Sequence, residues 1–303
     1  MPTPKQTLSF LLRRFREAGI RPHSNLGQNF LIDLNLQHLL LDAAALGPED
    51  VVLEIGTGTG GLTMLLAPRA AAIVTVEVDQ DLFQLAAEEL DGLPNLTMLC
   101  ADALRTKNRM NPEVLEAVYA QLDAAPGRHF KLVANLPFNV ATPILATLLA
   151  LDRPPETMTA TIQKEVADRI VARPGSKTYG ALAIWIQSQC RTEVVRVLGP
   201  SVFWPRPKVS SAFLHITLEE DRRRAIPDLA GFHGFVRKMF MHRRKLLRSE
   251  LLADFKDLGK TQVDGLLAAL GFAPTVRAEQ ISPEQMLALC AAVGQARTAA
   301  HPR

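Results

Sequence analysis

Asn135-Leu136-Pro137-Phe138 places two hydrogen-bond acceptors and an aromatic face within four residues. The Asn135 side-chain oxygen and the Pro137 main-chain carbonyl can each take one hydrogen from an exocyclic amine, while Phe138 offers a flat surface to the ring that carries it. Such an amine is a poor nucleophile, because its lone pair is delocalised into the ring. Two acceptors draw the nitrogen towards tetrahedral geometry, free the lone pair and hold it in line with an electrophile. The tetrapeptide contains no general base, and none is needed if the nitrogen turns acidic on gaining its new substituent. Proline suits the turn, having a fixed φ and no N–H. In a blander reading Asn135 caps a helix near Pro143 and Phe138 belongs to the core.

A second chemical pattern precedes it. Gly56, Gly58 and Gly61 follow the β-like run Val51–Ile55 with the GxGxxG spacing of dinucleotide sites, and Glu77 ends the next run, about 20 residues on. Glycine permits positive φ and lets a ligand approach the main chain, and a carboxylate at Glu77 can accept from ribose hydroxyls. Any adenosine-bearing cofactor fits, a nicotinamide dinucleotide included, and a plain βα turn needs similar glycines. Asp102 follows the third run, placed either to accept from an adenine amino group or to cap a helix.

The elements that must position these residues are legible in the pattern. Val51–Ile55, Ala72–Val78, Leu96–Leu99 and Phe130–Ala134 are continuously apolar, as central parallel strands are, and Asp81–Leu90 between them has helical spacing. Met158–Gln163, Arg191–Val197 and Ala212–Leu218 read as further strands, with helices over Glu165–Ala172 and Tyr179–Cys190. The expected fold class is α/β. The charged stretch Glu219 to Arg224 with Pro227 marks a boundary, beyond which every apolar pattern is helical. Three parts are expected: an N-terminal extension over 1–24, the α/β domain over 25–220 and a small all-helical domain over 221–303. His23 and Asn25 stand before Gln28-Asn29, which suggests an N-terminal lid over the site.

With 303 residues, 48% of them hydrophobic, and a net charge of +3, the chain can bury two cores and is far from the disordered range. Cys100, Cys190 and Cys290 lie in apolar stretches without CxxC spacing and read as reduced core thiols; no metal is expected. The apolar patch of the N-terminus precedes its arginines, the reverse of an export signal, and charged residues or proline interrupt every long apolar stretch. A cytoplasmic protein without membrane contact is expected, and nothing demands more than a monomer.

Arg237, Lys238, Arg243, Arg244, Lys245 and Arg248 form the strongest basic run, with no acid among them, and read as a helix facing RNA phosphates. A solvated or charge-paired face is the alternative. Lys164, Arg169, Arg173 and Lys177, beside Pro174-Gly175-Ser176, suggest a second phosphate-contacting rim.

Seven stretches in order resemble the ribosomal RNA adenine dimethyltransferase family, specifically the small-subunit branch associated with kasugamycin sensitivity. They are Leu26–Leu31, Glu54–Gly58, Val76–Asp79, Asp102-Ala103, Asn135–Phe138, Gln163–Val166 and Phe203–Ser211. The resemblance implies a class I, Rossmann-like methyltransferase sheet with a helical C-terminal domain that binds RNA. It implies S-adenosylmethionine as cofactor, S-adenosylhomocysteine as product, and cofactor contacts at Asn29, Leu31, Gly56, Glu77, Asp102 and Asn135. Asn135, Pro137 and Phe138 become the catalytic turn. The reaction implied is dimethylation of the exocyclic N6 amine of two adjacent adenosines in the 3′-terminal hairpin of 16S rRNA, in the immature 30S particle, with a role in small-subunit biogenesis. Phe138 departs from the branch's usual tyrosine, and His242 stands where glutamine is common. Three rivals stay open: a large-subunit methyltransferase of the resistance type, a dinucleotide-dependent oxidoreductase, and an assembly factor whose methylation is secondary.

Overall fold

The computed structural model describes residues 7–23, 26–242 and 245–300. These divide into two compact units, residues 1–167 with 193–217 and residues 168–192 with 218–303.

In the first unit, α1 (Leu8–Glu17) and β1 (Phe30–Leu31) precede α2 (Leu34–Ala44) and the strand β2 (Asp50–Ile55). Then follow α3 (Gly61–Leu66), β3 (Ala72–Glu77), α4 (Gln80–Glu89), β4 (Leu96–Cys100), a hairpin of β5 (Leu104–Thr106) and β6 (Arg109–Met110), and α5 (Pro112–Asp123). The strand β7 (His129–Asn135), α6 (Ala141–Leu148), β8 (Thr157–Gln163) and the start of α7 (Lys164–Ile170) come next, and after α8 (Ala181–Gln187) of the second unit the chain returns as β9 (Cys190–Leu198), β10 (Phe203–Trp204) and β11 (Ser211–Leu218). The seven-stranded sheet has the order β4-β3-β2-β7-β8-β11-β9, and its first five strands are parallel. β11 runs antiparallel to β8.

Every residue of β2 and β3 is buried, as their largely apolar runs require of strands covered on both faces. Leu96–Leu99 was expected to be central too, but β4 is the sheet's edge strand and its residues are only half-buried. Cys100 ends that edge and is exposed, so it is not the core thiol expected of it, whereas Cys190 is buried and Cys290 half-buried. Over one face, Leu40, Leu41 and Ala44 of α2 meet Val52, Ile73, Val133 and Phe213 of the sheet. Each buried leucine contributes about 1.5–3 kcal/mol.

The N-terminal extension is anchored to α4. Leu11 and Phe15 of α1 pack on Leu82 and Leu85 of α4, and Arg14 pairs with Glu88 at 3.2 Å and Glu89 at 2.8 Å. Phe15 also meets Phe30 and Trp204 edge-on, at ring-centroid distances of 5.3 and 5.1 Å. Phe30 and Trp204 are cross-strand partners, because β1 pairs antiparallel with β10. The segment before the glycine loop is thereby pinned by apolar contact and by a two-stranded ladder that periodicity did not reveal. Asn25, invoked in the lid reading, lies outside the described residues.

The second unit holds α8, α9 (Glu220–Arg224), α10 (Leu229–Met239), α11 (Leu247–Asp254), α12 (Lys260–Ala269) and α13 (Pro283–Ala300). A single break near residue 220 was expected, yet residues 168–192 belong to this helical unit. The reason is in α8 itself, Ala181–Gln187, which is apolar nearly all round and must be covered. Trp185 is 2% exposed and stacks on His233 of α10 at 4.3 Å, and the buried Tyr179 donates to the Ile281 carbonyl at 3.0 Å. No helix among the described residues is long and apolar enough to cross a membrane.

Candidate active site

The site assembles in the first unit, at the carboxyl ends of the parallel strands, where open α/β sheets leave a crevice. β2 delivers the glycine loop, β3 ends on Glu77 and β7 ends on Asn135. Gly56 has φ +86°, and a Cβ there would lie 3.4 Å from Pro137 Cδ, so the cofactor loop and the acceptor turn pack together. Gly58 has φ +57°, and its Cβ would meet the Phe30 ring at 3.0 Å. Positive φ disfavours a side chain at both positions, and the loop is tied to β3, with the Gly56 N–H donating to the Val76 carbonyl at 2.8 Å.

Glu77 is 5% exposed and fully oriented. Its Oε2 accepts from the Gly58 N–H at 2.8 Å, and its Oε1 from the N–H groups of Val78 and Asp79, each at 3.0 Å. Burial raises its affinity for a proton, and the main-chain donors from Asp79, Gly58 and Val78 oppose that by favouring the ionised form. A carboxylate offers about four acceptor positions, so capacity for a ribose hydroxyl remains. Asp79 serves two neighbours: Oδ1 caps α4 through the N–H groups of Asp81 and Leu82, and Oδ2 takes the Gln28 amide at 2.9 Å.

The turn after β7 leaves a buried acceptor unmatched. Asn135 Nδ2 donates to the Asn29 carbonyl at 2.8 Å, which sets the amide plane. Its Oδ1 is buried and has no hydrogen-bond partner. The helix-cap reading fails, since α6 starts at Ala141 with Val140 at its cap and no side chain bonding there. Pro137 needs refinement: its carbonyl already accepts the Val140 N–H at 3.1 Å, so one lone pair serves the turn and one remains for a ligand. A Cβ on Gly27 would stand 3.1 Å from the Phe138 N, so the chain before β1 backs the same turn.

Asn29, Leu31, Gly56, Glu77, Asn135, Pro137 and Phe138 all line one cavity. Asp102 lines an adjoining one that shares Gly56, Glu77, Val78 and Pro137. It caps no helix, because its Oδ1 accepts the Leu104 N–H at 2.9 Å in the turn between β4 and β5. Two polar wall residues escaped sequence reasoning. Glu54, 1% exposed, accepts from Thr63 Oγ1 at 2.6 Å and Thr75 Oγ1 at 2.8 Å, and burial pushes its carboxyl up to about 8 despite those bonds. Gln37, 4% exposed, is the other. A charged residue inside an apolar strand and an amide inside the run Leu36–Leu41 were the available signals.

The basic run looks different in three dimensions. It is not one helix: Arg237 and Lys238 end α10, Lys245 lies in the connection, and Arg248 begins α11. Arg237 is exposed, Lys238 stands over the Phe255 ring at 5.3 Å, and Arg248 is held bidentately by Asp264, with one bond at 2.9 Å. His242 and Lys245 both approach the buried carboxylate of Glu250, at 3.2 and 3.9 Å. Arg243 and Arg244 lie outside the described residues. Of the second rim, Lys164 falls in the first unit and Arg169, Arg173 and Lys177 in the second. Among the described residues no group of histidines, cysteines and carboxylates could hold a metal.

The family described as "Ribosomal RNA adenine dimethylase" matches residues 19–293. The ribosomal RNA small subunit methyltransferase A of Pediococcus pentosaceus is 37% identical over 266 residues, 87% of each chain. Its namesake from Shouchella clausii is 35% identical over 95% of this chain and 93% of its own. In fold, the chain is similar to a dimethyladenosine transferase from Plasmodium falciparum, with TM-score 0.69 and 22% identity over 85% of this chain and 94% of that one. It is also similar to the 23S rRNA methyltransferase ErmE, with TM-score 0.61 and 24% identity over 88% and 100%. A match over residues 19–293, relatives more than a third identical across most of the chain, and a class I sheet together establish that this chain belongs to the ribosomal RNA adenine dimethylase family and is a methyltransferase.

Proposed function

We propose that this chain dimethylates the N6 amine of two adjacent adenosines in the 3′-terminal hairpin of 16S rRNA, acting as a monomer in the cytoplasm on the immature 30S particle and contributing to small-subunit biogenesis. S-adenosylmethionine would supply an electrophilic methyl group and leave as S-adenosylhomocysteine. The residues fit that cofactor: Glu77 is oriented for ribose, Asp102 borders the adjoining cavity as an acceptor for the adenine amine, and Gly56 and Gly58 give the ligand access to main chain.

The observation that carries the reading is the unpartnered, buried Asn135 Oδ1. An exocyclic amine of the target base satisfies it, and the free lone pair of the Pro137 carbonyl takes the second hydrogen. In the first transfer both hydrogens are held, and in the second the one remaining hydrogen is held, so that the nitrogen's lone pair points out of the ring plane while Phe138 stacks against the extruded base to keep it there. Phenylalanine retains the π-face of the more usual tyrosine and lacks only its hydroxyl. No side chain needs to remove a proton before methyl transfer, because the methylated nitrogen is acidic and releases its proton to water. Relatives named for the small subunit, at 35–37% identity, favour that substrate over large-subunit RNA.

Methyl transfer to 30S subunits from cells lacking the modification, with the nucleoside identified by mass spectrometry, tests this reading. Dimethyladenosine in the 3′-terminal hairpin, reduced about 10²–10³-fold in rate by Asn135→Ala, is the expected result. Labelling of 23S rRNA alone would replace the small-subunit reading, and no labelling of either would remove the catalytic one.

A further inference from the structure

Gln37 carries a second buried acceptor in the cofactor cavity that has no partner. It lies on α2, is 4% exposed and lines the same cavity as Asn135. Its Nε2 donates to the Leu31 carbonyl at 2.7 Å, which fixes which end of the amide is oxygen, and its Oε1 has no hydrogen-bond partner. A buried acceptor left unmatched is unfavourable, and natural cores keep few of them.

The ends of the cavity can be told apart. With Glu77 assigned to the ribose, the adjoining cavity lined by Asp102 takes the adenine. The remaining wall includes Leu31, Gln37, Leu40 and Glu54. The Gln37 amide nitrogen is engaged by the Leu31 carbonyl, so the atom it leaves for a ligand is an acceptor, while Glu54 Oε2 already takes two threonine hydroxyls. An unmatched amide oxygen suits a cation with hydrogens to donate and disfavours a carboxylate.

We propose that Gln37 Oε1 accepts a hydrogen bond from the α-ammonium of the methionine portion of S-adenosylmethionine, and that Gln37 is a cofactor-binding residue of this chain. The assignment rests on the methyltransferase reading of the cavity. Gln37 reads the aminoacyl end of the ligand, as Glu77 reads the ribose. The Leu31 carbonyl orients the amide and Gln37 meets the ligand, so a single side chain links β1 and α2 to the bound cofactor.

Calorimetric titration of the full-length protein with S-adenosylhomocysteine and with its analogue lacking the α-amino group tests the proposal. For the wild type, loss of the amino group should weaken binding about tenfold or more, the value of a hydrogen bond to a charged group. Gln37→Met should weaken S-adenosylhomocysteine similarly and be indifferent to the amino group, so that the two deletions are strongly non-additive. Additive losses, or an unchanged affinity in the variant, would overturn the assignment. In the wild type, the Gln37 side-chain amide resonance should shift with S-adenosylhomocysteine and not with the analogue; equal shifts would also overturn it, without requiring the variant to fold. Failure of the wild type to bind S-adenosylhomocysteine at all would instead remove the cofactor reading on which the assignment depends.

Discussion

Glu54 gives the first unit a pH dependence of definite sign. Its carboxyl is buried near the end of β2, and burial raises its pKa from 4.5 to about 8, against two threonine hydrogen bonds. The folded state therefore holds a proton that the unfolded state releases above its own pKa. Between pH 4.5 and 8 the unfolded state binds fewer protons, so stability falls as pH rises, and the loss levels off above about 8. The substitution Glu54→Gln keeps the shape and the acceptor for Thr63 and Thr75 but removes the ionisable group. At about 1.4 kcal/mol per pH unit, the variant's stability relative to wild type should increase by roughly 3–4 kcal/mol between pH 5 and pH 8. Urea unfolding at both pH values measures this. On a Trp185→Phe background, Trp204, the other of the two tryptophans, reports the first unit through fluorescence. Parallel stability curves for the two proteins would refute the reasoning, because they would mean that Glu54 ionises in the folded state as readily as in the unfolded one.

Gly58→Ala should lower apo stability by about 1–3 kcal/mol, since φ is +57° and the new methyl would meet the Phe30 ring at 3.0 Å. Denaturant titration reads the stability, and calorimetry should show weaker S-adenosylhomocysteine binding; an unperturbed variant in both would contradict the close-packed cradle. In the second unit, Arg237→Ala should reduce the salt dependence of binding to a small-subunit RNA hairpin by about one counterion, while Arg248→Ala should leave it nearly unchanged because Asp264 holds that guanidinium. Fluorescence anisotropy across a salt series checks both, and a larger effect for Arg248 would reverse the assignment.

The carboxyl-edge placement of Gly56, Glu77 and Asn135 was legible because each ends or follows an apolar run long enough to be a buried strand, and strand ends in parallel sheets share one edge. The helical nature of the last third was legible for the same reason, since periodicity is a local property of the chain. Asn135 could be singled out by residue type, whereas the unpartnered state of its oxygen depends on Asn29, 106 positions away in sequence. Gln37 and Glu54 look like isolated polar residues in apolar segments; folding α2 over the sheet and packing β2 beside β3 turns them into cavity walls. The basic run reads as one uninterrupted positive face, but Asp264 and Glu250, which no local pattern associates with it, engage Arg248, His242 and Lys245. The helical unit likewise reclaims residues 168–192 because the apolar surface of α8 needs partners that lie 40 and more positions further on. By itself the sequence determined the main buried strands, the helical last third and the acceptor turn, because these depend on neighbours along the chain; which polar atoms are left for a ligand, and which charges are already spent, was decided only when tertiary packing brought distant residues within hydrogen-bonding distance.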